Sequence, residues 1–278
     1  MGRLASTFGR LRARGEIAFI PGIVPGDPSL DMGLEIVRVL TAAGADAIEL
    51  SYSFSDPVAD GVTLQAAHTR VLAGGLRKER AYRWIEEVRA ITDLPLLVLE
   101  YGNCIYQFGV DRFYSTLADC GADTVIAIDV PLDEAADLRA AAARAGIGMS
   151  FFVSPSTSDE RVRQIAGAAQ DWIYVVAVPG VTGARARVED LTAELLRRTQ
   201  RLTQLPLVVG FGVARPDHMR ALAATGADGA ISSSATVDLI HGHRDRPAVL
   251  LFELDRYVTE MKAASRQDPS SDSLVRSL

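Results

Sequence analysis

The sequence predicts one parallel (β/α)8 barrel of the TIM type, and three observations carry that expectation. Eight short apolar runs alternate with helical patterns along the chain. A Gly-Ala-Asp triplet recurs at Gly44-Ala45-Asp46, Gly121-Ala122-Asp123 and Gly226-Ala227-Asp228, each time between a helical pattern and an apolar run. No Gly-x-Gly-x-x-Gly fingerprint follows the first run, which disfavours a doubly wound open sheet.

The expected strands are Ala18 to Ile23, Ala47 to Leu50, Leu96 to Leu99, Thr124 to Ile128, Gly148 to Val153, Ile173 to Val178, Leu207 to Val209 and Gly229 to Ile231. Their near-continuous apolar character fits a parallel sheet covered on both faces. Helical spacing is read at about 2–14, then at Leu30 to Ala43, Glu79 to Ile91, Asp133 to Ala145, Glu189 to Thr203 and Ala248 to Ala264. Each triplet glycine suits the left-handed position that ends a helix. Pro95 and Pro206 stand where strands begin, the place at which a missing N–H least disturbs a ladder.

With 278 residues, 48% of them hydrophobic and 23% charged, the chain holds enough apolar material for a large core. One domain is expected over 1–266, followed by a mobile tail over 267–278 that is rich in Ser, Asp and Arg. A net charge of -6, with acidic and basic residues interspersed, argues against a nucleic-acid partner. Two cysteines, Cys104 and Cys120, are too few for a disulfide framework and suit a reducing, cytoplasmic setting. The arginines of the first fifteen residues flank no signal-like apolar segment, and no stretch reaches the length of a membrane span.

In such a barrel, chemistry is expected at the carboxyl ends of the strands. Alternation within Asp46-Ala47-Ile48-Glu49-Leu50 puts Ala47 and Glu49 on the lumen face. A carboxylate there is desolvated, which raises its pKa towards the range of a general acid or base. A structural carboxylate satisfied by hydrogen bonds is an equal reading. The following loop, Phe54-Ser55-Asp56-Pro57-Val58-Ala59-Asp60-Gly61, carries two more carboxylates. Asp56 reads best as a turn cap, whereas Asp60 is far enough along to curl back over the barrel mouth.

Gly210-Phe211-Gly212-Val213 and Ile231-Ser232-Ser233-Ser234-Ala235 follow the seventh and eighth strands, where backbone N–H groups at a helix start hold phosphate. The alternative there is plain turn chemistry with a serine N-cap. Gly180-Val181-Thr182-Gly183 is read as a lid after the sixth strand, or as a flexible connector. The histidines His68, His218, His241 and His243 have no metal-ligand spacing and are read as surface or packing residues.

Taken in order, Pro21 with Gly26-Asp27-Pro28, Ile48-Glu49-Leu50, Phe54-Ser55-Asp56-Pro57, Ala59-Asp60-Gly61, Gly180-Val181-Thr182-Gly183, Gly210-Phe211-Gly212 and Ala230-Ile231-Ser232 resemble the tryptophan synthase alpha subunit family, from about Phe19 to Arg266. The resemblance implies cleavage of indole-3-glycerol phosphate to indole and glyceraldehyde 3-phosphate without metal or organic cofactor. It implies that Glu49 moves protons at indole C3 and the side-chain hydroxyl, and that Asp60 binds the indole N–H. It places Tyr174, Thr182, Gly183, Phe211, Gly212, Ser233 and Ser234 at the substrate and its phosphate, and Gly22 and Tyr101 are expected among the substrate-binding residues.

Several positions depart from the family pattern. Gly22 stands where a bulky residue is usual and is expected to enlarge the indole end of the pocket, offset by Tyr52. Ser51-Tyr52-Ser53 replaces a Gly-x-Pro, Ser233 replaces a glycine, and Glu100 adds a carboxylate near the barrel mouth. Ser53 and the segment 103–108 lie where the family docks on its beta subunit, so a beta-dependent subunit and a freestanding lyase both stay open. Two other classes remain: a ligand-binding regulatory subunit without activity, and an aldolase or isomerase acting on another sugar phosphate. The second lacks a Schiff-base lysine at any strand end.

Overall fold

The computed structural model describes residues 2–176 and 185–266, with backbone alone over 185–190. The expected lid residues Thr182 and Gly183 and the expected tail 267–278 lie outside the described residues. The first half of the chain runs α1 (Arg3–Ala13), β1 (Ala18–Ile23), α2 (Leu30–Ala42), β2 (Ile48–Ser51), α3 (Val62–Ala73), α4 (Lys78–Arg89), β3 (Leu96–Glu100), α5 (Gly102–Phe108), α6 (Val110–Cys120) and β4 (Thr124–Ala127). The second half continues with α7 (Ala136–Ala145), β5 (Gly148–Ser150), β6 (Phe152–Val153), α8 (Asp159–Ala168), β7 (Ile173–Val176), α9 (Arg185–Gln200), β8 (Leu207–Gly210), α10 (Pro216–Ala224), β9 (Gly229–Ser232), α11 (Ser234–His243) and α12 (Pro247–Ala263). No described helix is long and apolar enough to cross a membrane.

All described strand pairs are parallel, in the order β5-β4-β3-β2-β1-β9-β8-β7-β6. The two ends of that order, β5 and β6, are halves of one run interrupted at Phe151, whose carbonyl still accepts the Tyr174 N–H at 3.0 Å. One half pairs with β4 and the other with β7, so the sheet closes into the expected eight-unit barrel. The helix expected from Asp133 is also divided, into a 3-10 turn at Leu132–Glu134 and α7.

Alternation along the strands sorts the apolar side chains into two bodies. Ala18, Ile20, Ala47, Leu97, Leu99, Ile126, Trp172, Tyr174, Val208 and Ile231 fill the lumen, and Leu4, Phe8 and Leu11 of α1 close it from the amino-terminal end. Ile48, Leu50, Val98, Val125 and Val209 point the other way, into the helix layer. Ala47 and Ile48 thus face the sides that their spacing predicts.

The triplet aspartates brace the strand starts. Asp46 Oδ2 accepts the N–H of Phe19, Asp123 Oδ2 that of Leu96 and Asp228 Oδ2 that of Leu207, each at 2.9 Å. In return the backbone N–H of each aspartate donates to the carbonyl of that same residue. Lys262 pairs with Asp46, Arg89 and Arg3 with Asp123, and Arg12 with Asp228. Gly44, Gly121 and Gly226, at φ 99°, 92° and 80°, turn the chain from helix into this clamp. The clamps hold the amino-terminal end of the barrel and leave the carboxyl-terminal end free for chemistry.

Candidate active site

The side chains expected to react converge on a cleft at the carboxyl-terminal mouth of the barrel. Its walls include Glu49 and Ser51 of β2, Asp60 and Gly61 of the loop after it, Leu99, Ile128, Tyr174, Phe211, Gly212, Ser233 and Ser234. Glu49 follows Ala47 on the lumen side of β2 and is 1% exposed. Its Oε1 accepts the Ser233 hydroxyl at 2.6 Å, and its Oε2 has no hydrogen-bond partner among the described residues. Burial pushes the carboxyl up to about 7; the Ser233 hydrogen bond opposes the rise and the Asp60 charge adds to it. Near neutral pH such a group both gives and takes a proton.

Asp60 curls back over the mouth, as its place in the loop predicts. Its Oδ2 accepts the Tyr101 hydroxyl at 2.8 Å, and the same phenol oxygen accepts the Ala59 N–H at 3.2 Å. Tyr101 is fully buried, so its link to the cleft runs through Asp60. Burial and the neighbouring Asp60 carboxylate push its phenol pKa up, keeping the hydroxyl as a donor. The Phe54 ring lies 5.0 Å from that of Tyr101 and seats the loop against β3.

His68 is not the passive packing residue its spacing suggests. It is 1% exposed on α3; its Nδ1 accepts the Phe54 N–H at 3.2 Å, and its Nε2 stands 3.3 Å from Asp60 Oδ2, outside hydrogen-bond alignment. Accepting at Nδ1 leaves the proton on Nε2, facing the carboxylate. The sequence signal was the register of α3: buried Leu64, Ala67, His68 and Val71 recur at helical spacing on the face beneath the loop.

Ser51 was also missed. Extending the alternation that selects Ala47 and Glu49 by two residues reaches it; Ser51 is 1% exposed, and its hydroxyl has no hydrogen-bond partner among the described residues. Asp56 is exposed and accepts the Ser55 hydroxyl.

At the other wall, Tyr174 is buried with its ring 5.9 Å from that of Phe211. Phe211 holds φ 69° and Gly212 φ 80°, and a non-glycine residue in that region marks local strain at the cleft edge. Ser233 precedes α11 without capping it by its side chain, and the helix ladder begins only with Val237 N–H donating to the Ser233 carbonyl. The amides of 234–236 thus precede the ladder, and the helix dipole favours an anion beside them.

Two expectations need correction. A Cβ on Gly22 would stand 2.2 Å from Ser233 Oγ, so the space Gly22 leaves is occupied by Ser233 and does not enlarge the pocket. Tyr52 faces the helix layer, donates to the Ala81 carbonyl and packs on Tyr82, and so cannot offset Gly22 in the cleft. Glu100 ends β3 at the mouth side of the barrel, as its place in the sequence predicts, and is fully buried, with Lys78, Tyr82 and the Tyr101 N–H as partners. Ser53 is 6% exposed at the start of the loop after β2.

The profile of the family described as "Tryptophan synthase alpha chain" matches residues 8–266. The tryptophan synthase alpha chain of Methanothermobacter thermautotrophicus is 44% identical over 247 residues, covering 89% of this chain and 92% of that one. That of Pectobacterium atrosepticum is 40% identical over 267 residues, covering 96% and 100%. Among solved structures, the tryptophan synthase subunit alpha of Legionella pneumophila superposes with a TM-score of 0.86 at 28% identity, over 95% of this chain and 98% of that one. A chain of the tryptophan synthase complex of Pyrococcus furiosus gives 0.79 at 31% identity, over 89% and 98%.

Proposed function

Because this chain belongs to the tryptophan synthase alpha chain family, we propose that Glu49 and Asp60 carry out its cleavage of indole-3-glycerol phosphate to indole and glyceraldehyde 3-phosphate. The protein is a carbon–carbon lyase. The observation that carries the assignment is one buried carboxyl poised near neutrality, with one oxygen unpartnered among the described residues, facing a second carboxylate across the barrel mouth.

Protonated Glu49 delivers a proton to indole C3, and Asp60 accepts a hydrogen bond from the ring N–H, stabilising the cationic indolenine that forms. The resulting Glu49 carboxylate then takes the proton of the hydroxyl on the adjacent side-chain carbon. The bond between that carbon and C3 breaks, its electron pair returns to the ring, and an aldehyde is left. The proton removed equals the proton delivered, so Glu49 ends as it began and no redox partner is required. The amides at the start of α11, with Gly212 opposite, suit the substrate phosphate. Tyr174 and Phe211 supply aromatic surface for the indole ring.

A beta subunit is the proposed partner. Val58 and Val62 flank the loop that carries Asp60, at 83% and 82% exposure, and Tyr106 of α5 is 49% exposed, an apolar surface beside the site. The free thiols Cys104 and Cys120 fit a cytoplasmic setting. The test is indole release from indole-3-glycerol phosphate by the purified chain, alone and with a beta subunit. Release accelerated by the beta subunit is expected; rapid release that the beta subunit leaves unchanged identifies a freestanding lyase, and none in either condition refutes the assignment.

A further inference from the structure

Ser233 has the residue type and position of a helix N-cap, yet its hydroxyl makes no cap hydrogen bond to α11. A serine before a helix ordinarily accepts from the helix's own amides. Here the hydroxyl turns into the barrel and donates to Glu49 Oε1 at 2.6 Å. Only a glycine at 22 permits this: a Cβ there would meet Ser233 Oγ at 2.2 Å, Ser233 Cβ at 2.6 Å and Glu49 Oε1 at 3.0 Å. Gly22 is the register partner of Glu49 across the β1–β2 ladder, so the three residues form one contact.

We infer that Ser233, seated in the space left by Gly22, is a positioning residue for the lyase reaction, anchoring Glu49 Oε1 so that Oε2 is the oxygen that exchanges the proton. Ser233 acts through Glu49, and the inference rests on the assignment of Glu49 made above. The commitment of Oε1, and the absence of a partner at Oε2 among the described residues, are its geometric basis. A hydrogen bond donated to a carboxylate favours the ionised form, so the serine also opposes the desolvation that keeps Glu49 protonated. The other titratable groups facing Glu49 are Asp60 from the loop after β2 and Tyr174 from β7, with Tyr101 and His68 behind Asp60.

The experiment uses Ser233→Ala, Gly22→Ala and Gly22→Ala combined with Ser233→Gly, with thermal unfolding to verify folding. The Glu49 carboxyl is titrated by carbon-13 NMR, its signal assigned by its loss in Glu49→Gln. Steady-state cleavage of indole-3-glycerol phosphate is followed across pH with the beta subunit present. Ser233→Ala is expected to move the Glu49 midpoint upward and lower kcat about tenfold or more with KM changed under about threefold. Gly22→Ala alone is expected to reproduce both effects, and the double change to cost little more than either single one, because all three remove the same contact.

A serine that only shapes the phosphate cradle would instead raise KM and leave kcat and the midpoint alone; that result overturns the inference. A shifted midpoint with unchanged kcat overturns the positioning role. If the unaltered chain titrates as described but cleaves nothing, the lyase assignment fails and the positioning role falls with it.

Discussion

Tyr101 Oη lies 2.8 Å from Asp60 Oδ2 and 3.2 Å from the Ala59 N, so one buried hydroxyl just past β3 pins the loop after β2 at two successive residues. Tyr101→Phe keeps the ring contact with Phe54 and removes only these bonds. The predicted outcome is a fall of about tenfold in kcat/KM, the size expected for losing a hydrogen bond to a charged group. The melting temperature should drop by no more than about 4 °C. Unchanged kinetics would show that Asp60 holds its place without Tyr101.

His68 supports the same loop from below. His68→Leu leaves the Phe54 N–H without its acceptor and Asp60 without its neighbour on α3. Urea unfolding should report a loss of about 1–3 kcal/mol, the cost of stranding a largely buried polar group. An equally stable variant would mean that the Phe54 N–H finds water at no cost.

Glu49 places a pH signature on stability as well as on turnover. Its folded pKa, about 7, is raised above the unconstrained 4.5, so its contribution is fully present below about pH 4.5 and lost as pH rises through 7. Glu49→Gln does not titrate. Its stability relative to the unaltered chain should therefore climb between about pH 4.5 and 7 and level off above, by roughly 3 kcal/mol at most. A stability difference flat across that range, measured by denaturant unfolding, would place the carboxyl in an ordinary solvated environment.

The clamps at the opposite end predict stability effects without kinetic ones. Asp123 accepts from Leu96 N–H, Arg89 and Arg3, whereas Asp228 accepts from Leu207 N–H and from Arg12, which is largely exposed. Asp123→Ala should cost about 2–4 kcal/mol and Asp228→Ala less, with kcat/KM of both within about twofold of the unaltered chain. The reverse order in chemical denaturation would contradict this reading of the ion pairs.

Periodicity and punctuation made the barrel legible: apolar runs of strand length, glycines that end helices, and prolines ahead of β3 and β8 all describe local backbone states. The same alternation placed Glu49 on the lumen side of β2, where the structure has it. What local pattern could not supply was a third dimension. That Gly22 and Ser233 share one space is a contact across 211 positions, from 22 to 233, and each residue read alone suggested a different consequence. Tyr52 was misplaced because its size suggested a pocket, although its parity along β2 already put it in the helix layer. His68 has no metal-ligand spacing, and its place beside Asp60 depends on how α3 folds under the loop, which no local pattern encodes.

Proton transfer by Glu49 is the step on which the proposed cleavage depends. Its most direct test is turnover of indole-3-glycerol phosphate by Glu49→Gln beside the unaltered chain, with the binding constant measured on the same samples. Loss of indole release is expected with substrate affinity within a few fold, because the phosphate and ring contacts remain. Comparable turnover in the variant would contradict it.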